Sequence, residues 1–262
     1  MTLYTETAGE GEPLVLWHGW GMNLRVFDGL RAALAGRYRL IATDLPGHGR
    51  SPWQASADDA RQLELLLEPV PQGATVLGWS LGGQWALRAA AAAPQRIRRL
   101  VLVCTTPRFV QSADWPHGLP AAVLEEFATR LKGQYRQTLH DFLELQVRGS
   151  SHAEAVRATL LQALLIHGEA KPEALEAGLH LLATQDLRRL ATTINVPTLL
   201  IGGQRDRVTP PSAAAALAQM LPDCRLLELA RASHVPFLSH PAEFLEALQV
   251  FLASAVAPPV SP

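Results

Sequence analysis

The chain has little of what several protein classes need. Only two of its 262 residues are cysteine, which is too few for a disulfide framework, so we expect reduced thiols. No apolar run approaches the roughly 20 residues that span a bilayer. The first residues also lack the basic and apolar regions of a secretion signal. We therefore expect a cytoplasmic protein that does not enter a membrane.

The chain also lacks an excess of either positive or negative charge. Lys and Arg number 23 and Asp and Glu 24, a net charge of -1, so nothing draws the chain to nucleic acid or an anionic surface. The nine histidines include no H-x-x-x-H or H-E-x-x-H pair. We expect no metal, no other cofactor and no nucleic-acid partner. Nothing in the sequence requires more than a monomer.

Short apolar runs alternate with helical runs over the first hundred residues. Strands are predicted at 14–17, 38–43, 75–78 and 99–104, and helices at 26–34, 58–67 and 81–93. Strands are predicted again at 198–202 and 225–229, followed by an amphipathic helix through Phe244, Leu248 and Phe251. Continuous apolar strands separated by helices are typical of a parallel sheet covered on both faces. The predicted fold class is therefore α/β.

The pattern changes between these two groups of strands. From about residue 111 to residue 185 the apolar residues fall at helical spacing, and no strand is predicted. The chain is therefore predicted to form an α/β core from residues 1–110 and 186–262. A helical cap at 111–185 interrupts this core and is expected to lie over the carboxyl ends of the strands.

A G-x-S-x-G pentapeptide, from Gly78 to Gly82, stands between a predicted strand and a predicted helix. A serine on such a turn is held out of the sheet in a strained backbone geometry. The two glycines let the neighbouring backbones approach closely. We predict that Ser80 is a nucleophile rather than a structural serine.

A serine nucleophile needs a base and an acid that orients the base. Asp206 and His234 each follow a predicted strand, and open parallel sheets place their sites at this edge. Two alternatives exist. Asp206 lies between two arginines and would suit a surface ion pair, and His240 stands before a proline and a helix. We favour Asp206 as the acid and His234 as the base.

The segment His18-Gly19-Trp20-Gly21 follows the first strong predicted strand. In serine hydrolases of this chain order, such a loop supplies one backbone donor for the oxyanion, and the residue after the nucleophile supplies the other. We predict the N–H groups of Trp20 and Leu81 as these donors. We interpret His18 as a histidine that braces the loop.

Together these segments resemble the α/β-hydrolase superfamily. Within it they are most similar to the family of pimeloyl-acyl-carrier-protein methyl ester esterases of biotin synthesis. The similarity also includes DLPGHGRS at 44–51, DWP at 114–116, FLELQ at 142–146 and HVPFLSHPAEF at 234–244. The first of these is shared widely among α/β-hydrolases. GWSLGG together with the two cap segments is the specific part of the resemblance.

The resemblance implies a serine carboxylesterase that works through an acyl-enzyme, with the three predicted triad residues in their expected roles. It places Trp20, Leu81 and Phe142 around the substrate. The implied substrate is the methyl ester of a dicarboxylic acyl chain, presented on an acyl carrier protein. Hydrolysis would release methanol and the free carboxylate.

The resemblance also implies arginines on the cap that meet the acidic carrier protein. Four positions where arginine is expected hold other residues, namely Gln137, Asp141, Glu154 and Ala158. Arg136, Arg148 and Arg157 remain as possible contacts. Two other functions stay open: a generalist esterase or lactonase acting on small carboxylic esters through the same triad, and a ligand-binding receptor that keeps the pocket without catalysis.

Overall fold

Seven strands form one sheet in the computed structural model, which describes residues 2–254. They are β1 (Thr5–Ala8), β2 (Glu12–Trp17), β3 (Tyr38–Thr43), β4 (Ala74–Trp79), β5 (Ile97–Val103), β6 (Thr198–Gly203) and β7 (Cys224–Leu229). Their order across the sheet is β1-β3-β2-β4-β5-β6-β7. All neighbouring pairs are parallel except β1 with β3. The predicted α/β class is confirmed.

Helices connect the strands on both faces of the sheet. They are α1 (Asp28–Leu34), α2 (Asp59–Leu67), α3 (Leu81–Ala92), α4 (Ala121–Gly133), α5 (Tyr135–Val147), α6 (Ala153–His167), α7 (Pro172–Thr184), α8 (Arg188–Ala191), α9 (Pro211–Met220), α10 (Pro236–Ser239) and α11 (Pro241–Ala253). A 3-10 turn at Leu24–Phe27 precedes α1, where the sequence predicts α-helix from residue 26. Within residues 2–254, none of these helices has the length and apolar character to cross a membrane.

The central strand β4 is buried along its whole length. Its successive side chains point to opposite faces, so Val76 joins one cluster of buried side chains and Leu77 joins the other. The second cluster includes Phe244 and Leu248 of α11, as the amphipathic pattern predicts. Because both faces are covered, the sheet leaves its carboxyl edge as the place where loops can form a site.

Helices α4 to α7 lie between β5 and β6 within the predicted cap at 111–185, and α8 lies just after that segment. Hydrogen bonds join α6 and α7 to the loops that follow β2 and β3. Nε1 of Trp20 donates to the carbonyl of Leu175 at 3.0 Å, and Nδ1 of His167 lies 3.1 Å from Oδ2 of Asp44. These contacts hold α6 and α7 against the loops at the carboxyl edge of the sheet.

Candidate active site

Ser80 occupies the turn between β4 and α3 with φ 56° and ψ -118°. A residue other than glycine rarely adopts a positive φ, so the turn is strained. Hydrogen bonds fix it from both sides, because the Ser80 N–H donates to the Val103 carbonyl at 2.9 Å. The Thr105 hydroxyl in turn donates to the Ser80 carbonyl at 2.7 Å. The side chain is half-buried at the carboxyl edge of the sheet.

Two glycines make this turn possible. A Cβ added at Gly78 would lie 2.3 Å from the Gly82 carbonyl oxygen, and one added at Gly82 would lie 2.3 Å from the Trp17 carbonyl oxygen. Any larger residue at either position would therefore push α3 away from β4 or β2. The pentapeptide is thus explained by close backbone packing around Ser80.

Asp206 and His234 form a buried hydrogen-bonded pair. Nδ1 of His234 lies 2.8 Å from Oδ2 of Asp206. A carboxylate only accepts, so this bond puts the imidazole proton on Nδ1 and leaves Nε2 as an acceptor. Nε2 is buried and has no hydrogen-bond partner among the residues that the structure describes. The pair is therefore arranged to take up a proton at Nε2.

Trp79 connects this pair to the serine turn. Its Nε1 donates to the His234 carbonyl at 2.8 Å, and its indole ring lies 5.7 Å from the imidazole. In the described part of the chain no hydrogen bond joins Ser80 to His234 directly. Such catalytic bonds are often long in the free enzyme and shorten when substrate binds.

The alternative histidine lies elsewhere. His240 is bonded through Nδ1 to the Ser239 hydroxyl at 2.9 Å and packs edge-to-face against His152. It precedes the first residue of α11. Asp206 therefore contacts His234, whereas the His240 side chain makes no capping hydrogen bond to α11.

The HGWG loop passes beside Ser80, since a Cβ added at Gly19 would lie 3.2 Å from the Cβ of Ser80. Within residues 2–254, the backbone N–H groups of Trp20 and Leu81 donate to no backbone or side-chain acceptor. Leu81 is the first residue of α3, where backbone donors have no partner inside the helix. Both groups are thus available to an oxyanion.

Two histidines brace the loops around this donor. His18 accepts from the Leu45 N–H at Nε2 (2.9 Å) and lies 2.8 Å from the Gly19 carbonyl at Nδ1. His48 makes the same kind of bridge between Gly21 and Pro46. Burial lowers the pKa of both imidazoles from the usual 6.5, in His18 well below it. Both rings therefore remain neutral and keep these hydrogen bonds.

An aromatic cluster lies above the HGWG loop. The ring of Trp20 packs edge-to-face against Phe142 of α5 at 5.2 Å and against Phe127 of α4 at 5.5 Å. Gly178 of α7 leaves room for the indole, because a Cβ there would lie 2.7 Å from its Cδ1. Trp20 and Phe142 were predicted as pocket residues from the resemblance, whereas Phe127 was not predicted.

Two further polar residues surround the acid–base pair, and neither was predicted as part of the site. Thr209 donates its hydroxyl hydrogen to Oδ2 of Asp206 at 2.7 Å. Gln146 of α5 accepts the His234 N–H at its carbonyl, over 3.0 Å. Its side-chain amide is buried, and both polar atoms lack a partner among the described residues. The sequence signal for Thr209 is its position three residues after Asp206, and the signal for Gln146 is its place at the end of the FLELQ segment.

Cys104 also lies close to the pair. Its Sγ, an oxygen of Asp206 and a nitrogen of His234 all lie within 4.8 Å of one another, a spacing that a metal ion could bridge. However, the hydrogen bond between Asp206 and His234 already engages two of these groups. Burial raises the pKa of the Cys104 thiol well above its usual value, so the thiol keeps its proton. The donor set suits a hydrogen-bonded pair better than a metal centre.

The three arginines named as possible carrier contacts differ in their surroundings. Arg136 and Arg148 are exposed, and no carboxylate pairs with either in the described residues. Arg157 is half-buried and its Nε lies 3.0 Å from Oε1 of Glu144. Its charge is thus partly neutralised by Glu144 of α5.

A strained serine beside a buried histidine–carboxylate pair, at the carboxyl edge of a parallel sheet, is the geometry of a serine hydrolase. The family model described as alpha/beta hydrolase fold matches residues 12–241. The chain therefore belongs to the alpha/beta hydrolase fold family, and the resemblance noted in the sequence is confirmed.

The chain is similar to several named proteins. The pimeloyl-[acyl-carrier protein] methyl ester esterase of Nitrosomonas europaea is 43% identical over 244 residues, which is 93% of this chain and 97% of that protein. The protein of the same name from Chromobacterium violaceum is 42% identical over 248 residues (95% and 97%). Among solved structures, an esterase from Exiguobacterium antarcticum superposes with a TM-score of 0.88 at 25% identity, covering 96% of each chain.

Proposed function

We propose that this chain is a serine esterase that hydrolyses the methyl ester of a pimeloyl chain carried on an acyl carrier protein. The buried pair of His234 and Asp206, with Nε2 unpartnered beside the Ser80 turn, supports the chemistry. The names of relatives at about 42% identity support the substrate. The product would be the free carboxylate of the acyl chain, with methanol released.

The mechanism begins with transfer of the Ser80 hydroxyl proton to Nε2 of His234. The serine oxygen attacks the ester carbonyl, and the N–H groups of Trp20 and Leu81 bind the resulting oxyanion. The carbon–oxygen bond to methanol breaks, and His234 returns its proton to that leaving oxygen. An acyl-enzyme on Ser80 remains. Asp206 keeps the imidazole in the required tautomer and stabilises its charged form.

A second half-reaction releases the acid. Water replaces methanol, and His234 takes a proton from it as the water oxygen attacks the acyl-enzyme carbonyl. The bond to Ser80 breaks, the serine oxygen regains the proton, and the carboxylate leaves. In this scheme the aromatic cluster of Trp20, Phe127 and Phe142 contacts the methylene groups of the acyl chain. Each buried methylene contributes about 0.8 kcal/mol of binding free energy.

Residues 111–185 act in this proposal as a cap that covers the acyl chain, because α4 and α5 supply two of the three aromatic rings. Arg136, Arg148 and Arg157 are the carrier contacts suggested by the family resemblance. We also propose that the chain works as a monomer in the cytoplasm and binds neither nucleic acid nor a membrane. Its two free cysteines agree with a reducing compartment.

The proposal is tested by methanol release from pimeloyl-carrier-protein methyl ester and from free dimethyl pimelate at equal concentration. We expect kcat/KM to be at least about 100-fold higher for the carrier-bound ester, about 2.7 kcal/mol of transition-state stabilisation. Equal values would indicate a generalist esterase instead. Binding of the ester with no methanol release, unchanged in Ser80→Ala, would indicate a receptor.

A further inference from the structure

Four exposed arginines lie on the segments that meet beside the buried acid–base pair. Arg148 follows α5, Arg205 and Arg207 follow β6, and Arg231 follows β7. We refer to these four side chains as the basic rim. They come from three separate parts of the chain, so the sequence alone does not show that they form one surface.

Hydrogen bonds hold the three segments of the rim together. The Arg205 guanidinium donates to the Gly149 carbonyl at 2.7 Å, and the Arg205 N–H donates to the Ala232 carbonyl at 2.9 Å. The Ser151 N–H lies 3.4 Å from the Arg231 carbonyl. The loop after α5 therefore lies against the turns that follow β6 and β7. This brings the chain at Arg148, Arg205 and Arg231 together, and Arg207 stands two residues after Arg205.

The charges of the rim are not neutralised within the protein. In the part of the chain that the structure describes, no carboxylate oxygen lies within 4.0 Å of a rim guanidinium nitrogen. Two of the nearby carboxylates, Asp141 and Glu144 of α5, are paired with Arg130 and Arg157. The others, apart from the buried acid, are the exposed Glu154 of α6, the half-buried Glu228 of β7 and the exposed Glu243 of α11. The rim therefore keeps a net positive charge that faces solvent.

The cap helices show the opposite arrangement. Arg130 pairs with Asp141, and Lys132 lies 3.8 Å from Glu176. Arg157 is engaged by Glu144, as described above. Most cations on the outer face of the cap are thus paired with carboxylates of the cap, whereas the arginines of the rim are not paired with a carboxylate of the described residues. An anionic partner meets the stronger attraction at the rim.

The rim also adjoins the reacting atoms. The His234 N–H donates to the Gln146 carbonyl at 3.0 Å, two residues before Arg148. Arg205 and Arg207 flank the acid Asp206 in the sequence. A partner seated on the rim is therefore positioned at the edge of the sheet where Ser80 and His234 lie.

We propose that the acidic carrier protein docks mainly on the basic rim formed by Arg148, Arg205, Arg207 and Arg231, and that Arg136 of α5 and Arg157 of α6 are secondary contacts. This inference rests on the proposed function, because that function supplies an anionic protein as the carrier of the ester. The rim contributes to recognition of the carrier, and the aromatic cluster contributes to recognition of the acyl chain.

The test uses charge reversal at the two rim arginines that are not next to Asp206. The variant is Arg148→Glu with Arg231→Glu. The matched control is Arg39→Glu with Arg225→Glu, since both arginines are exposed and lie near the amino ends of β3 and β7, at the opposite edge of the sheet. The quantity measured is the ratio of kcat/KM for carrier-bound methyl ester to kcat/KM for dimethyl pimelate.

We expect this ratio to fall about tenfold or more in the rim variant and to equal the wild-type ratio in the control. We also expect 0.5 M NaCl to lower the wild-type ratio towards that of the variant, because salt screens attraction between exposed charges. A rim variant that keeps the wild-type ratio would overturn the proposal. Single Arg148→Gln and Arg231→Gln variants give the same comparison if the double variant does not fold.

Failure of this inference is distinguishable from failure of the proposed function. If the wild-type enzyme prefers the carrier-bound ester and the rim variant keeps that preference, the proposed docking site is wrong and the proposed esterase function is retained. If the wild-type enzyme releases no methanol or shows no preference, the proposed function itself is wrong.

Discussion

The Thr209 hydroxyl donates a hydrogen bond to Oδ2 of Asp206 over 2.7 Å. The same oxygen lies 2.8 Å from Nδ1 of His234, and the hydroxyl itself is 3.5 Å from that nitrogen. Oδ1 accepts the N–H groups of Val208 and Thr209 at 2.8 and 3.0 Å. The loop that carries Asp206 therefore holds its carboxylate in the orientation that meets His234, and Thr209 is a positioning residue.

Thr209→Val removes this donor and keeps the side-chain shape. We expect kcat for the methyl ester to fall about tenfold, since a hydrogen bond to a charged group is worth about 1.5–3 kcal/mol, while KM changes little. The measurement is kcat and KM for the methyl ester at one fixed pH.

Thr209→Ser is the matched control, because it restores the hydroxyl without the methyl group. It should recover most of kcat. A purely packing role for Thr209 is indicated if the Val and Ser variants reduce kcat equally.

Gln146 has a buried amide whose polar atoms lack partners in the described residues, and Phe142 lies one turn earlier on the same face of α5. We expect the amide to bind a polar group of the ester substrate. Gln146→Leu should therefore lower kcat/KM about tenfold or more. It should also raise the free energy of unfolding by about 1–3 kcal/mol, because an unsatisfied buried polar group is removed.

Both effects are measurable on one preparation, by methanol release and by urea unfolding. Gln162→Leu is the control, since Gln162 is exposed on α6, and neither quantity should change there. Loss of stability in Gln146→Leu would mean that the amide is satisfied in the free enzyme, and a substrate role would lose its support.

Buried neutral histidines predict a loss of stability in acid. The pKa of His18 lies well below 6.5 in the folded chain and that of His48 is also lowered, in both mainly by burial. As the pH falls below about 6.5, the unfolded chain takes up protons that the folded chain does not, so the free energy of unfolding decreases. Each such histidine contributes about 1.4 kcal/mol per pH unit while its folded form stays neutral.

Urea unfolding at pH 7.5 and 5.5 measures this difference, and His48→Gln should reduce it. A free energy of unfolding that is equal at the two pH values would contradict the assignment of neutral, bracing roles to these rings.

The sequence predicts the sheet core well because burial on both faces leaves a clear apolar signal. The predicted strand at 38–43 coincides with β3, and that at 198–202 ends one residue before β6 does. Strand β1 was missed, because Thr5–Ala8 is a short polar edge strand whose pairing with β3 is set by the fold. Its side chains are half-buried or exposed, so the strand has no apolar pattern that would predict it.

For the site, chain order and strand ends predicted the contact between Asp206 and His234, which lie 28 residues apart. The roles of Phe127 and Gln146 were not predictable in this way. A phenylalanine or glutamine at helical spacing has many ordinary uses, and only the packing of α4 and α5 over Trp20 and His234 gives these two a place in the site.

The central claim is that Ser80 is the nucleophile of a methyl esterase. The most direct test is reaction of the wild-type chain with a p-nitrophenyl phosphonate ester, with peptide mass spectrometry to locate the adduct and methanol release measured in parallel. We expect one phosphonyl group per chain, on Ser80, with activity lost in proportion. The Ser80→Ala variant should form no such adduct, and the His234→Ala variant should form it much more slowly than the wild type. An adduct on another residue, or activity that survives complete modification of Ser80, would contradict the account.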